Sequence, residues 1–102
     1  MNDIQFCEAQ KGDLKYIVQM LADDPLGIKR ERFESPLPSS YSNAFDSIDK
    51  DSNNALILAI LKDEIIGVFQ LTFIPNLTYQ GSWRAMIEGV RVSSKFRSKG
   101  IG

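Results

Sequence analysis

Residues 87–102 read Ile87-Glu88-Gly89-Val90-Arg91-Val92-Ser93-Ser94-Lys95-Phe96-Arg97-Ser98-Lys99-Gly100-Ile101-Gly102, and the placement of every other element follows from them. The first six residues carry β-branched side chains in near alternation, which is a strand pattern. The remainder is polar, basic and closed by two glycines. A strand running into such a loop must turn sharply. Glycine permits positive φ and lets backbone N–H groups approach a ligand without interference from a Cβ. Arg97 and Lys99 add positive charge to that nest of amides, a combination suited to a pyrophosphate, especially where a helix N-terminus follows. On this evidence alone an ordinary strand-to-helix turn with surface cations stays open. Two nucleotide motifs are excluded. A Walker loop needs Lys after its last glycine, whereas Lys99 precedes Gly100 and no Ser or Thr follows. A dinucleotide fingerprint needs a third glycine after Gly100 and Gly102, and usually sits on the first strand of its unit.

Charge separates this stretch from what precedes it. The 102 residues hold 12 Lys+Arg and 13 Asp+Glu. Residues 84–102 contribute Arg84, Arg91, Lys95, Arg97 and Lys99 against Glu88 alone, a net of +4, so residues 1–83 carry −5. A basic end on an acidic body suits nucleic acid, an anionic surface or a phosphorylated ligand, or is simply a solvated end. The sequence has no His and one Cys. That excludes a Cys/His zinc site and a His-activated Ser or Cys nucleophile. Cys7 has no partner for an intrachain disulfide. No apolar run approaches the roughly 20 residues that span a bilayer, and MNDIQFCEAQ lacks a signal-peptide pattern. A soluble cytoplasmic domain without metal is expected.

Upstream, Ile4 to Ala9 alternates loosely and reads as a strand. Asp13 is placed to cap a helix with Leu14, Ile17, Val18 and Leu21 on one face, and Asp23-Asp24-Pro25 ends it. Residues 25–38 read as a loop with room for a short helical turn. Tyr41, Ala44, Phe45 and Ile48 mark a second helix from near Ser39 to Asp49, capped by Ser39 or Ser40. The continuous run from Ala55 to Leu61 predicts a strand covered on both faces. Lys62-Asp63-Glu64 is a turn, and Ile65 to Ile74 is the return strand of a hairpin. After a loop at 75–82, a last strand runs from about Trp83 to Val92. The expected class is α/β with a mixed α+β sheet, in the order β-α-α-β-β-β.

The spacing Arg97-x-x-Gly100-x-Gly102, directly after Val90-Arg91-Val92, resembles the acetyl-coenzyme A loop of GNAT-type N-acetyltransferases. The strand and helix order is also similar to that family's. The resemblance covers the whole chain as topology and residues 86–102 as motif. It implies acetyl transfer from acetyl-CoA to an amine acceptor, with no metal. It further implies that backbone at Val90, Arg91 and Val92 pairs with the pantetheine arm. Amides of Arg97, Ser98, Lys99, Gly100, Ile101 and Gly102 would hold the pyrophosphate. Members continue with a helix and further strands, so residues 1–102 are expected to be the N-terminal portion of one such domain, ending at the pyrophosphate loop.

Glu88 is the sharpest single candidate. Simple alternation puts it on a face with Met86, Val90 and Val92, and a carboxylate among apolar groups is disfavoured when charged and can accept a proton. Some family members use a Glu on this strand, so the resemblance implies Glu88 as general base. The alternative is an ion pair with Arg84 or Arg91, or plain exposure. Gly89 marks either a bulge or an ordinary strand glycine. Phe33, Tyr41 and Phe45 are candidates to line the acceptor pocket, although aromatics at helical spacing also make core. The acceptor class stays open between small amines, antibiotics, peptide N-termini and protein lysines. Nucleic acid is not expected as a partner, because the basic tail offers only Phe96 for stacking. Self-association through an open sheet edge is expected. The competing class is a non-catalytic domain that binds a nucleotide or CoA, or that self-associates.

Overall fold

The structure is a computed structural model that describes residues 3–96. Four strands form one sheet in the order β1-β2-β3-β4 (Gln5–Glu8, Asn54–Leu61, Glu64–Pro75 and Trp83–Val92), antiparallel throughout. Three helices intervene between β1 and β2: α1 (Leu14–Ala22), α2 (Gly27–Arg30) and α3 (Ser39–Lys50). This is the α/β class and element order expected of the sequence, with α2 as the short turn foreseen in residues 25–38.

The β2–β3 hairpin turns on Lys62 and Asp63, whose φ values of 50° and 65° give the paired left-handed geometry that matches strand twist. Neither residue is Gly or Asn, so the polarity of the break was legible while its turn type was not. Helix α1 buries Leu14, Ile17, Val18 and Met20, and α3 contributes Phe45; with Leu58, Ile66 and Val68 of the sheet they make the core. Each such side chain removed from water is worth about 1.5–3 kcal/mol before entropy. Leu58 pairs across the strands with Val68, and Leu56 with Gln70, so these four share the helix-covered face.

The apolar run of β2 suits cover on both faces, but helices on one side of four strands leave the other face open among the described residues. Phe6, Phe73, Ile87 and Val90 stand exposed there, with Phe6 and Phe69 in edge-to-face contact at 6.3 Å between ring centres. The continuous apolar run of β2 therefore has its Leu56 and Leu58 under helices and its Ile57 and Ala59 beside that aromatic pair.

Neither proposed helix cap forms. Asp13 turns back instead, accepting a hydrogen bond from the Gln10 backbone N–H at 2.8 Å and closing a short 3-10 turn (Lys11–Asp13) ahead of α1. At α3 the capping position is Pro38, which makes no side-chain hydrogen bond; Ser39 and Ser40 are already helical. Proline can occupy that entrance because its fixed φ suits the first turn and it has no N–H to satisfy.

Candidate active site

Strand β4 is interrupted where the sequence has its glycine. Gln70 pairs with Glu88 and Val68 with Arg91, so two steps along β3 oppose three along β4: an extra residue sits in β4 at Gly89–Val90. Gly89 has φ of 60°, the left-handed torsion that such a bulge demands and that glycine takes without penalty. A Cβ built on Gly89 meets no heavy atom within 4 Å, so the bulge faces open space.

The bulge changes the phase of the strand. Glu88 pairs with Gln70 and Met86 with Thr72 on the helix-covered face, whereas Val92 pairs with Gly67 on the other face, with Val90. Glu88 thus shares a face with Met86 but not with Val90 and Val92, which corrects strict alternation: one inserted residue exchanges inside for outside. Glu88 is exposed, and among the described residues it makes no ion pair with Arg84 or Arg91. Its neighbour Gln70 is turned by a hydrogen bond from Nε2 to Asn54 Oδ1 (3.1 Å), and Thr72 Oγ1 donates to the same oxygen (2.7 Å).

Beneath the bulge, between α1, α3 and the sheet, lies an apolar cavity of about 200 Å³ that includes Ile17, Leu21, Phe45, Leu56, Val68 and Gly89 in its wall. Tyr41 and Gln70 reach the same cavity. Tyr41 and Phe45 are therefore brought together, but not with Phe33. Phe33 lines a separate open hollow of about 640 Å³ beside α2, with Asp23, Glu31, Arg32 and Ser94. Phe45 is buried in the core, while Phe33 is 49% exposed. The Tyr41 hydroxyl donates to Glu31 Oε1 (2.6 Å) and accepts from the Arg32 N–H (3.0 Å). Burial first, then the Glu31 carboxylate, raises the Tyr41 pKa above its ordinary 10.0.

Arg91 points to the helix side. Its Nε lies 3.6 Å from Asp24 Oδ2, an ion-pair rather than hydrogen-bond distance, and one terminal nitrogen donates to the Val90 carbonyl at 2.8 Å. The other Asp24 oxygen accepts the N–H of Gly27, which opens α2. That hydrogen bond is the main reason the Asp24 pKa falls below 3.8; burial opposes it and the Arg91 charge adds to it. In the sequence Asp24 stands before Pro25 as part of a helix stop. Its spacing three before Gly27 was the available signal for a side chain capping the next turn.

Beyond β4 the chain turns back, with Ser93 N–H to the Ile66 carbonyl (2.7 Å) and Phe96 N–H to the Ser93 carbonyl (2.8 Å). Lys95 pairs with Glu64 at 3.1 Å, so part of the basic stretch is matched by the acidic body. Arg97, Ser98, Lys99, Gly100, Ile101 and Gly102 lie outside the described residues. Among the described residues, no group of His, Cys, Asp or Glu is placed to hold a metal ion. No helix of the described residues is long and apolar enough to cross a membrane.

Comparison with known proteins supplies a frame for this geometry. Among solved structures, a transcriptional regulator from Bacillus halodurans C-125 superposes with TM-score 0.89 at 58% identity, over 97% of this chain and 66% of that one. A protein assigned as an acetyltransferase from Agrobacterium tumefaciens C58 gives 0.74 at 20% identity, over 94% and 63%. A predicted acetyltransferase with acetyl-CoA, from Clostridium acetobutylicum, gives 0.65 at 16%, over 97% and 66%. The latter two likenesses speak for the fold alone. The chain spans 66% or less of the length of these three structures. No curated protein matches it. The family model described as acetyltransferase (GNAT) matches residues 17–102, which take in most of α1, the hairpin, the bulged β4 and the glycine-bearing end. By that match over most of its length, the chain belongs to the acetyltransferase (GNAT) family.

Proposed function

We propose that this chain provides the donor and acceptor sites of an N-acetyltransferase that moves an acetyl group from acetyl-CoA to an amine. The observation that carries the reading is the Gly89 bulge. It sits in the sheet-edge strand β4, sets Glu88 on the helix side next to an apolar cavity, and turns Val90 and Val92 to the other face. Acetyl-CoA, as donor substrate, supplies an acetyl group activated as a thioester. The edge strand suits the amide-bearing pantetheine arm, because a strand with no described neighbour on one side offers backbone donors and acceptors in register. Val90, Arg91 and Val92 would serve there, and the amides of residues 97–102 would hold the pyrophosphate.

Glu88 would take a proton from the acceptor ammonium, directly or through one water, and so free the nitrogen lone pair. The nitrogen forms the new C–N bond as the C–S bond breaks; the first proton passes from Glu88 to solvent, and the second, lost from the nitrogen as it becomes an amide, goes to the departing thiolate. A single Cys, with no partner in this sequence for a disulfide, suits a reducing compartment such as the cytoplasm. The test is Glu88→Gln, assayed by thiol release with acetyl-CoA and a panel of amines. The turnover number should fall by about 10² to 10⁴-fold, the usual contribution of general acid–base catalysis, with acetyl-CoA affinity preserved. Undiminished turnover across about pH 6 to 9 would remove Glu88 from the mechanism.

A further inference from the structure

We propose that the cavity under the β4 bulge binds the apolar group of the acceptor, and that the acceptor is a primary amine carrying one compact aryl or branched-alkyl group. This rests on the acetyl-transfer reading and adds the substrate class to it. Three observations carry it. First, size: the pocket measures about 200 Å³, and roughly 150 Å³ of apolar space is enough to take up a benzene ring.

Second, chemistry. The wall is aliphatic and aromatic, and its two polar-tipped residues, Tyr41 and Gln70, have their hydrogen-bond donors engaged elsewhere. The Tyr41 hydroxyl is held by Glu31 and the Arg32 N–H, which leaves its ring as lining; the Gln70 amide nitrogen is drawn to Asn54, which leaves its Oε1, among the described residues, as the one polar atom offered to a ligand. A hydroxyl or second amine placed in this space would give up its hydration for little return. Amino sugars and polyamines are thereby disfavoured. Third, placement. Gln70, which reaches the cavity, is the cross-strand partner of Glu88 on the same face. An apolar group seated below the bulge therefore leaves an attached ammonium next to a carboxylate, the group that must deprotonate it.

The test uses the 102-residue chain with benzylamine as probe and ethanolamine as the polar comparison. In methyl-detected NMR titrations, benzylamine should shift Ile17, Leu56 and Val68, and bind at least about tenfold more tightly than ethanolamine. Ala44 lines the cavity from the exposed side of α3, so Ala44→Phe can obstruct it without touching the buried core. It should weaken benzylamine binding at least tenfold while the thermal midpoint holds. If that variant does not fold, Ala44→Leu provides the same obstruction with a better helix former. Equal binding of the two amines, or binding indifferent to the obstruction, overturns the proposal. Benzylamine held in the cavity of a chain that gives no saturable response to acetyl-CoA upholds the site and overturns the transfer reading. Acetylation of ethanolamine and amino sugars as fast as benzylamine upholds transfer and overturns the cavity as its specificity determinant.

Discussion

Replacing Gly27 by alanine should dislodge the turn that ties the helices to the site. A Cβ at Gly27 would stand 2.0 Å from the Leu21 carbonyl oxygen and 3.1 Å from Asp24 Oδ1. Carbon–oxygen contacts normally stop near 3.3 Å, so the overlap with Leu21 exceeds about 1 Å. The offending atom is backbone in the last turn of α1 and cannot rotate aside. Relief requires α2 to move off α1, which draws Gly27 away from Asp24 and disturbs the carboxylate that faces Arg91 on β4. Overpacking costs about 1–3 kcal/mol, and an immovable partner puts this case at the upper end. At roughly 4–8 °C per kcal/mol for a domain of this size, about 3 kcal/mol lowers the thermal midpoint by about 12–24 °C. Circular dichroism melts of the wild type, Gly27→Ala and Gly12→Ala provide the comparison. A Cβ on Gly12 meets nothing within 4 Å, so Gly12→Ala should hold the midpoint or raise it. Coincident melts for the two variants would refute the packing described for the α1–α2 junction.

The Asp24 carboxyl has its pKa lowered in the folded state, chiefly by the Gly27 N–H, so its stabilisation is present above the unfolded value of 3.8 and disappears as pH falls through the lower folded value. The stability gap between wild type and Asp24→Asn should be level from about pH 5 to 7 and close below about pH 4 in urea titrations; a gap unchanged at pH 3 would contradict this. Ile66 is fully buried whereas Ile87 is 60% exposed on the uncovered face. Ile66→Ala should therefore cost about 2–5 kcal/mol, and Ile87→Ala about 0.5 kcal/mol or less, both read from urea midpoints. Equal costs would mean that the two faces are not unequally covered as described.

Much of the fold was readable because the chain's local preferences agree with its packing. The helical spacing of Leu14, Ile17, Val18 and Leu21 located α1, and the polar break at Lys62 and Asp63 located the hairpin, since period and punctuation are local properties. The limits of β4 were also read correctly at Trp83 and Val92. What alternation misplaced was the face of Val90 and Val92 relative to Glu88. A bulge is a relation between two strands, and one glycine in one strand does not specify it until the pairing with Val68 and Gln70 is known. The caps failed for a similar reason: Asp13 had a competing donor at Gln10. The contact of Arg91 with Asp24 joins two loop-proximal segments far apart in sequence, and no spacing rule reports such a pair. Tyr41 and Phe45 were singled out as acceptor-lining residues, and they reach one cavity; Phe33, grouped with them, opens on a different hollow. The sequence near Phe33 holds proline and charge but no periodicity to orient it.

The most direct measurement is a titration of the chain with acetyl-CoA followed by amide NMR. If the bulged edge strand is the donor site, saturable shifts should concentrate in Gly89 to Phe96, while Gln5 to Glu8, on the opposite edge of the sheet, stay in place. Shifts concentrated in β1, or no saturable response, would contradict the assignment of the β4 edge as the coenzyme site.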